Sequence, residues 1–210
     1  MSLRHSYTII APLYDAFLAT AGTGLRMASL AQLPQQGNLN ILISGIGTGL
    51  DIPHLPPGHT YTGLDLTAAM LARAKARAGY LQLNLVRGDS MSLPFASARF
   101  DHAVLHLILA IVPDPLACLR ETARVLKPGG SVLILDKFLK PGESAWLRRT
   151  LNLLSRHVVT RLDVVFEEVL AGVPELRLES DMPLLAGGWF RNIRLVKTER
   201  LNDNASKIKL

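Results

Sequence analysis

Leu39-Asn40-Ile41-Leu42-Ile43-Ser44-Gly45-Ile46-Gly47-Thr48-Gly49 constrains this chain more than any other segment. An apolar run of strand length opens directly into a loop with glycine at every second position. Such a short, unbroken apolar run fits a strand buried on both faces, as in parallel sheets. Glycine then lets the backbone turn sharply and lets a ligand approach without meeting a Cβ. In an open α/β sheet, ligands bind beyond the carboxyl ends of the strands. The same loop also serves as a strand-to-helix turn that binds nothing, so a glycine pattern alone does not decide.

The rest of the chain alternates between strand-like and helix-like segments. Strands are predicted at Asn40–Ser44, Thr60–Leu64, Gln82–Arg87, Phe100–Leu105, Ser131–Asp136 and Phe190–Lys197. Helices are predicted at Thr8–Leu18, Gly24–Leu33, Ala68–Ala78, Pro115–Val125, Ala145–Val159 and Asp163–Leu170. This alternation predicts a parallel sheet covered by helices on both faces, with right-handed crossovers. Thr67 is placed to cap the helix carrying Met70, Leu71 and Ala74, and Asp114 to cap the one opened by Pro115. Lys127-Pro128-Gly129-Gly130 is read as a stop. A turn at Asn202-Asp203-Asn204 predicts an antiparallel hairpin over Phe190–Leu210.

Composition narrows the class. Of 210 residues, 49% are hydrophobic, ample for one core, and a single domain is expected. The only cysteine, Cys118, excludes an intrachain disulfide and a cysteine metal cluster, and no metal site is expected. Its natural role is core packing. Met1 to Thr20 carry no secretory pattern, and no apolar run approaches the length of a membrane span. A cytoplasmic protein is therefore expected. The net charge of +6 is dispersed, suiting solubility or contact with an anionic surface. No aromatic-rich basic run suggests nucleic acid.

Four further segments then fall in order. They are Tyr61-Thr62-Gly63-Leu64-Asp65-Leu66-Thr67-Ala68-Ala69-Met70-Leu71, Arg87-Gly88-Asp89-Ser90-Met91-Ser92-Leu93-Pro94-Phe95, Phe100-Asp101 with Val112-Pro113-Asp114-Pro115, and Arg124-Val125-Leu126-Lys127-Pro128-Gly129-Gly130. With Ile41–Gly49 they resemble the motifs of class I S-adenosylmethionine-dependent methyltransferases. Ala11-Pro12-Leu13-Tyr14-Asp15 is similar to the lead-in of the quinone-biosynthesis-like branch. The segments Gly47–Leu55 and Leu107–Pro115 look most like bacterial phosphatidylethanolamine N-methyltransferases.

The resemblance implies a Rossmann-like sheet of seven mostly parallel strands, flanked by helices, with the last strand antiparallel. It implies an amino-terminal helical lid over residues 1–36, a cofactor-binding core over 37–136, acceptor-side helices over 137–189, and the terminal hairpin over 190–210. S-adenosylmethionine is the implied cofactor. Gly45, Gly47 and Gly49 would lie against its methionine and ribose portions, and Asp65 would take the ribose hydroxyls. Asp89, Ser90 and Met91 would address the adenine, and Tyr14 would sit over the cofactor. Ser44, Leu66, Met70 and His106 complete the implied cofactor set, with His106 also a candidate for positioning the donor or acceptor. The acceptor would be small or lipid-like, such as a phospholipid amine. Trp146–Arg161, with leucines at helical spacing and four arginines, suits an anionic bilayer or a lid. Met182–Trp189 suits an apolar acceptor wall or a cover for the sheet.

Two departures stand out. The family usually has an acid two positions before the first glycine, balancing the cofactor's ammonium; here Ile43 stands there. Losing that charge-assisted contact costs about 1–2 kcal/mol, roughly tenfold in affinity. A Leu-His-His run found in relatives is replaced by Leu109-Ala110-Ile111, so no histidine dyad is expected. Two alternatives stay open: a cofactor-binding relative without catalysis, and a nicotinamide-dependent oxidoreductase, although the latter's G-x-G-x-x-G fails at Leu50.

Overall fold

The strand expected at Asn40–Ser44 (β1) becomes an interior strand of a seven-stranded sheet in the computed structural model, which describes residues 22–139, 164–184 and 190–198. Around it lie β2 (Thr60–Asp65), β3 (Gln82–Arg87), β4 (Phe100–His106), β5 (Leu126–Lys137), β6 (Leu176–Pro183) and β7 (Phe190–Lys197). Their order is β3-β2-β1-β4-β5-β7-β6. β1 to β5 are mutually parallel, and β7 runs antiparallel to both β5 and β6. The mostly parallel, Rossmann-like sheet expected from the sequence is therefore present.

Alternation along the strands builds two cores. Leu42, Leu64, Leu105, Ile134 and Ile193 face α3 (Pro115–Val125) and α4 (Phe166–Ala171). Ile41, Ile43, Tyr61, Val104 and Leu133 face Leu30 of α1 (residues 22–30) and Ala74 of α2 (Ala68–Arg77). Each fully buried aliphatic side chain of this kind contributes about 1.5–3 kcal/mol. Cys118 lies within the first core, where burial pushes its thiol up to about 12. Both helix caps form as expected. Thr67 Oγ1 accepts from Met70 N at 3.3 Å, and Asp114 Oδ1 accepts from Ala117 N at 3.0 Å.

Three expectations need correction. The antiparallel partner of β7 precedes it: β6 occupies one edge of β7 and β5 the other, leaving no edge for the hairpin expected over Phe190–Leu210. β6 escaped notice because its polar, exposed sequence, Leu-Arg-Leu-Glu-Ser-Asp-Met-Pro, is that of an edge strand. The helix stops at Val125, just before Lys127–Gly130, as expected, but the strand that follows does not wait for Ser131. β5 already begins at Leu126, and a register shift opposite Phe100 and His102 absorbs the glycines. A Cβ on Gly130 would stand 2.6 Å from the Asp101 carbonyl. The helix expected at Asp163–Leu170 occupies Phe166–Ala171. The helices expected at Thr8–Leu18 and Ala145–Val159, and residues 199–210 of the expected hairpin, lie outside the described residues.

Candidate functional site

Topology selects the crevice. From β1 the chain steps outward to β2 and β3, then returns past β1 to β4 and β5. The strand order reverses between β1 and β4, and an open α/β sheet binds ligands at the carboxyl side of such a switch point. The glycine loop, Asp65, Asp89 and His106 all sit at this end, on the tips of β1, β2, β3 and β4 respectively.

The loop after β1 needs its glycines for distinct reasons. Gly45, Gly47 and Gly49 have φ of +74°, +55° and +83°. A Cβ on Gly49 would meet Ile52 Cδ1 at 2.5 Å and the Ala74 Cα at 3.0 Å. One on Gly45 would meet Ile108 Cδ1 at 2.7 Å. One on Gly47 would meet only the Gly45 carbonyl, at 4.0 Å. Packing therefore requires small residues at positions 45 and 49, while Gly47 keeps a face open at the crevice.

Asp65 closes β2 and ties the crevice together. Its Oδ2 accepts the Gly47 N–H at 3.0 Å, and its Oδ1 accepts the Thr67 N–H at 2.9 Å and the Thr67 hydroxyl at 3.3 Å. Burial raises its pKa against the lowering pull of these bonds. A carboxylate offers about four acceptor sites, so three are already in use. A two-point grip on a diol would require the Thr67 hydroxyl or the Gly47 N–H to give way. Leu66, beside it, is exposed, and Met70 is half-buried in the first turn of α2.

Past β3, Asp89 Oδ1 accepts the Met91 N–H at 2.8 Å, setting a tight turn that buries Ser90. Met91 packs partly against the first core. Ser44 is buried, and its hydroxyl donates to Ser90 Oγ at 2.8 Å, joining the ends of β1 and β3. Ser44 thus braces the turn after β3. Ile43 itself lies in the second core with Leu30, Ile41, Val104 and Leu133. Tyr14 and Trp146–Arg161 lie outside the described residues. Of Met182–Trp189, Met182 is half-exposed on edge strand β6, and residues 185–189 are outside.

A buried polar cluster bridges α1, the glycine loop and β4. Arg26 Nη1 donates to Asp51 Oδ1 at 2.7 Å. His106 Nδ1 lies 2.9 Å from the same oxygen, and its Nε2 lies 3.0 Å from Ser29 Oγ. Because the Asp51 carboxylate can only accept, Nδ1 carries the proton and donates to it. Burial alone would raise Asp51, but His106 and Arg26 outweigh it and hold the carboxyl well below the usual carboxylate range. Both ring nitrogens of His106 are therefore engaged within the chain. Asp51, Arg26 and Ser29 escaped the sequence reading. Their signal was two polar residues, Arg26 and Ser29, on the same helical face as buried Leu30 and Leu33.

At the tip of β5, Asp136 is fully buried. Its Oδ2 accepts the Ala110 N–H at 3.0 Å, and its Oδ1 accepts the Lys137 N–H at 2.8 Å. Burial raises it to about 6. The carboxylate anchors the loop carrying Leu107, whose φ is +57°, and Ile108, which covers Gly45. Among the described residues, no cluster of three or more His, Cys, Asp or Glu side chains is arranged to hold a metal ion, and no helix is long and apolar enough to cross a membrane.

Residues 42–134 match the methyltransferase domain family. The chain is 29% identical over 187 residues to the phosphatidylethanolamine N-methyltransferase of Cereibacter sphaeroides, covering 87% of this chain and 91% of that protein. It is 45% identical over 76 residues to a demethylmenaquinone methyltransferase of Staphylococcus epidermidis, covering 36% of this chain and 32% of that one. An S-adenosylmethionine-dependent methyltransferase from Mesorhizobium loti shares the fold with a TM-score of 0.64 at 22% identity, over 81% of this chain and 96% of that one.

Proposed function

We propose, from the premise that this chain is an S-adenosylmethionine-dependent methyltransferase, that its acceptor is the amine of a phospholipid headgroup. The observation carrying this reading is the length of the match to the phosphatidylethanolamine enzyme, 187 residues reaching past the cofactor core, against 76 residues for the quinone enzyme. The 45% identity of that shorter match supports a quinone precursor as the second reading.

The crevice fits the cofactor. The open face of Gly47 leaves room beside the backbone, and Asp65 keeps an acceptor site on Oδ2 for a ribose hydroxyl. Asp89, Ser90 and Met91 form the turn where the adenine is assigned, with Leu66 and Met70 at its edge. When bound, the cofactor supplies a methyl group already activated on a sulfonium. The chain's task is alignment of the acceptor and exclusion of water, effects able to supply much of a rate enhancement. An amine acts as a nucleophile only after losing its proton, and a general base serves only if that loss must occur on the enzyme. His106 and Asp136, at the strand tips, already have their polar atoms bonded within the chain, so neither is assigned as a base. Peripheral contact with an anionic bilayer through Trp146–Arg161 belongs to the same reading. Sedimentation with anionic vesicles at low and high salt tests it, and salt-independent non-binding rejects it.

The deciding assay supplies methyl-labelled cofactor with phosphatidylethanolamine vesicles and, separately, with demethylmenaquinone. Label in the phospholipid extract is the expected result. Label in the quinone alone transfers the assignment to the second reading, and label in neither rejects both acceptors.

A further inference from the structure

Arg26, Asp51 and His106 are all buried, yet a buried ion pair is a weak source of stability because desolvation consumes most of its attraction. Their position is more telling than their energy. The residues assigned to adenine lie at the tip of β3, the carboxylate assigned to ribose at the tip of β2, and the open glycine at the tip of β1. A ligand extended along these tips reaches the notch between β1 and β4 next. Asp51 follows the glycine loop there, His106 ends β4, and Arg26 descends from α1.

The next portion of the cofactor in that direction is its amino-acid end, which carries an ammonium and a carboxylate. Ile43 leaves the usual partner for that ammonium missing, and its side chain is sealed in an apolar core. Asp51 accepts both Arg26 and His106 at Oδ1; among the described residues no bond is made to its Oδ2, nor to Nε or Nη2 of Arg26. One anion and one cation, side by side with donor and acceptor capacity unspent, match a zwitterion of opposite order. We propose that Arg26 and Asp51 are the binding residues for the methionyl zwitterion of the cofactor. Asp51 takes the ammonium in place of the acid absent at position 43, and Arg26 takes the carboxylate. His106 and Ser29 act as positioning residues that hold Asp51 in the notch. This rests on the cofactor reading given above.

Isothermal titration separates the proposal from a structural role. S-adenosylhomocysteine carries the zwitterion, whereas 5′-deoxy-5′-methylthioadenosine keeps the adenosine and thioether and lacks it. In Arg26→Gln/Asp51→Asn, affinity for S-adenosylhomocysteine is expected to fall about 100-fold, as two charge-assisted contacts are lost. Affinity for methylthioadenosine is expected to stay within about twofold of wild type on the additivity of separate contacts. Arg26→Lys keeps the cation in the core and guards against a folding failure; it is expected to weaken S-adenosylhomocysteine alone, by about tenfold, through loss of the planar fork. Equal weakening of both ligands, or unchanged affinity for both, overturns the proposal while leaving the methyltransferase reading intact. Failure of wild type to bind S-adenosylhomocysteine overturns both.

Discussion

Alanine at Gly47 and alanine at Gly49 should damage this protein in opposite ways. Both positions have positive φ, which costs an L-residue about 1–2 kcal/mol. At Gly49 the new methyl also meets Ile52 Cδ1 at 2.5 Å and the backbone of α2 at 3.0 Å. Overpacking of that kind adds about 1–3 kcal/mol, so Gly49→Ala should lose about 2–5 kcal/mol in urea unfolding. At Gly47 the methyl meets nothing closer than a carbonyl at 4.0 Å, so only the φ cost, about 1–2 kcal/mol, should appear. Its methyl points into the crevice instead. A ligand forced to back away bears a similar overpacking cost of about 1–3 kcal/mol, or about 5- to 150-fold in Kd. Urea unfolding and titration with S-adenosylhomocysteine on both variants read the two effects separately. The reasoning is refuted if Gly47→Ala binds as wild type does, or if it loses as much stability as Gly49→Ala.

Other consequences follow from the same geometry. Asp136 is raised to about 6 from an ordinary 3.8, so the folded state holds its proton more tightly than the unfolded chain. Its contribution is complete below about pH 4 and is lost as pH rises through 6, up to about 3 kcal/mol. Asp136→Asn cannot titrate, so the stability gap between wild type and variant should shift in the variant's favour from pH 4.5 to pH 7.5 in urea titrations; a constant gap contradicts the assignment. Restoring the family's acid as Ile43→Asp should not rescue binding. It places a carboxyl among Leu30, Ile41, Val104 and Leu133 and should lower stability by about 3–5 kcal/mol at neutral pH, as measured by chemical unfolding. Thr67→Ala removes both the α2 cap and a bond to Asp65, and should cost about 1 kcal/mol with a measurable change in cofactor affinity. An affinity change without loss of helix stability would place the effect on Asp65 alone.

Local signals decided much of this protein. The apolar run before Gly45 named a buried interior strand, Thr67 and Asp114 named two helix starts, and β-α alternation named the parallel sheet, because each depends on backbone preference and periodicity within a few residues. The order of Gly47, Asp65 and Asp89 along adjacent strand tips follows from the same alternation. Beyond that reach the sequence was silent. Nothing local marks Leu176–Pro183 as the partner of β7, since an edge strand is half solvated and its polar residues look like loop. Nothing local joins Arg26 to Asp51 across 25 positions, or Asp51 to His106 across 55. Those contacts exist because packing brings α1, the glycine loop and β4 to one notch, where water is excluded and opposite charges must find one another. Tertiary structure also decided that both nitrogens of His106 are bonded, to Asp51 and Ser29, since whether a histidine nitrogen is available depends on which neighbours surround it, and the chain order does not carry that information.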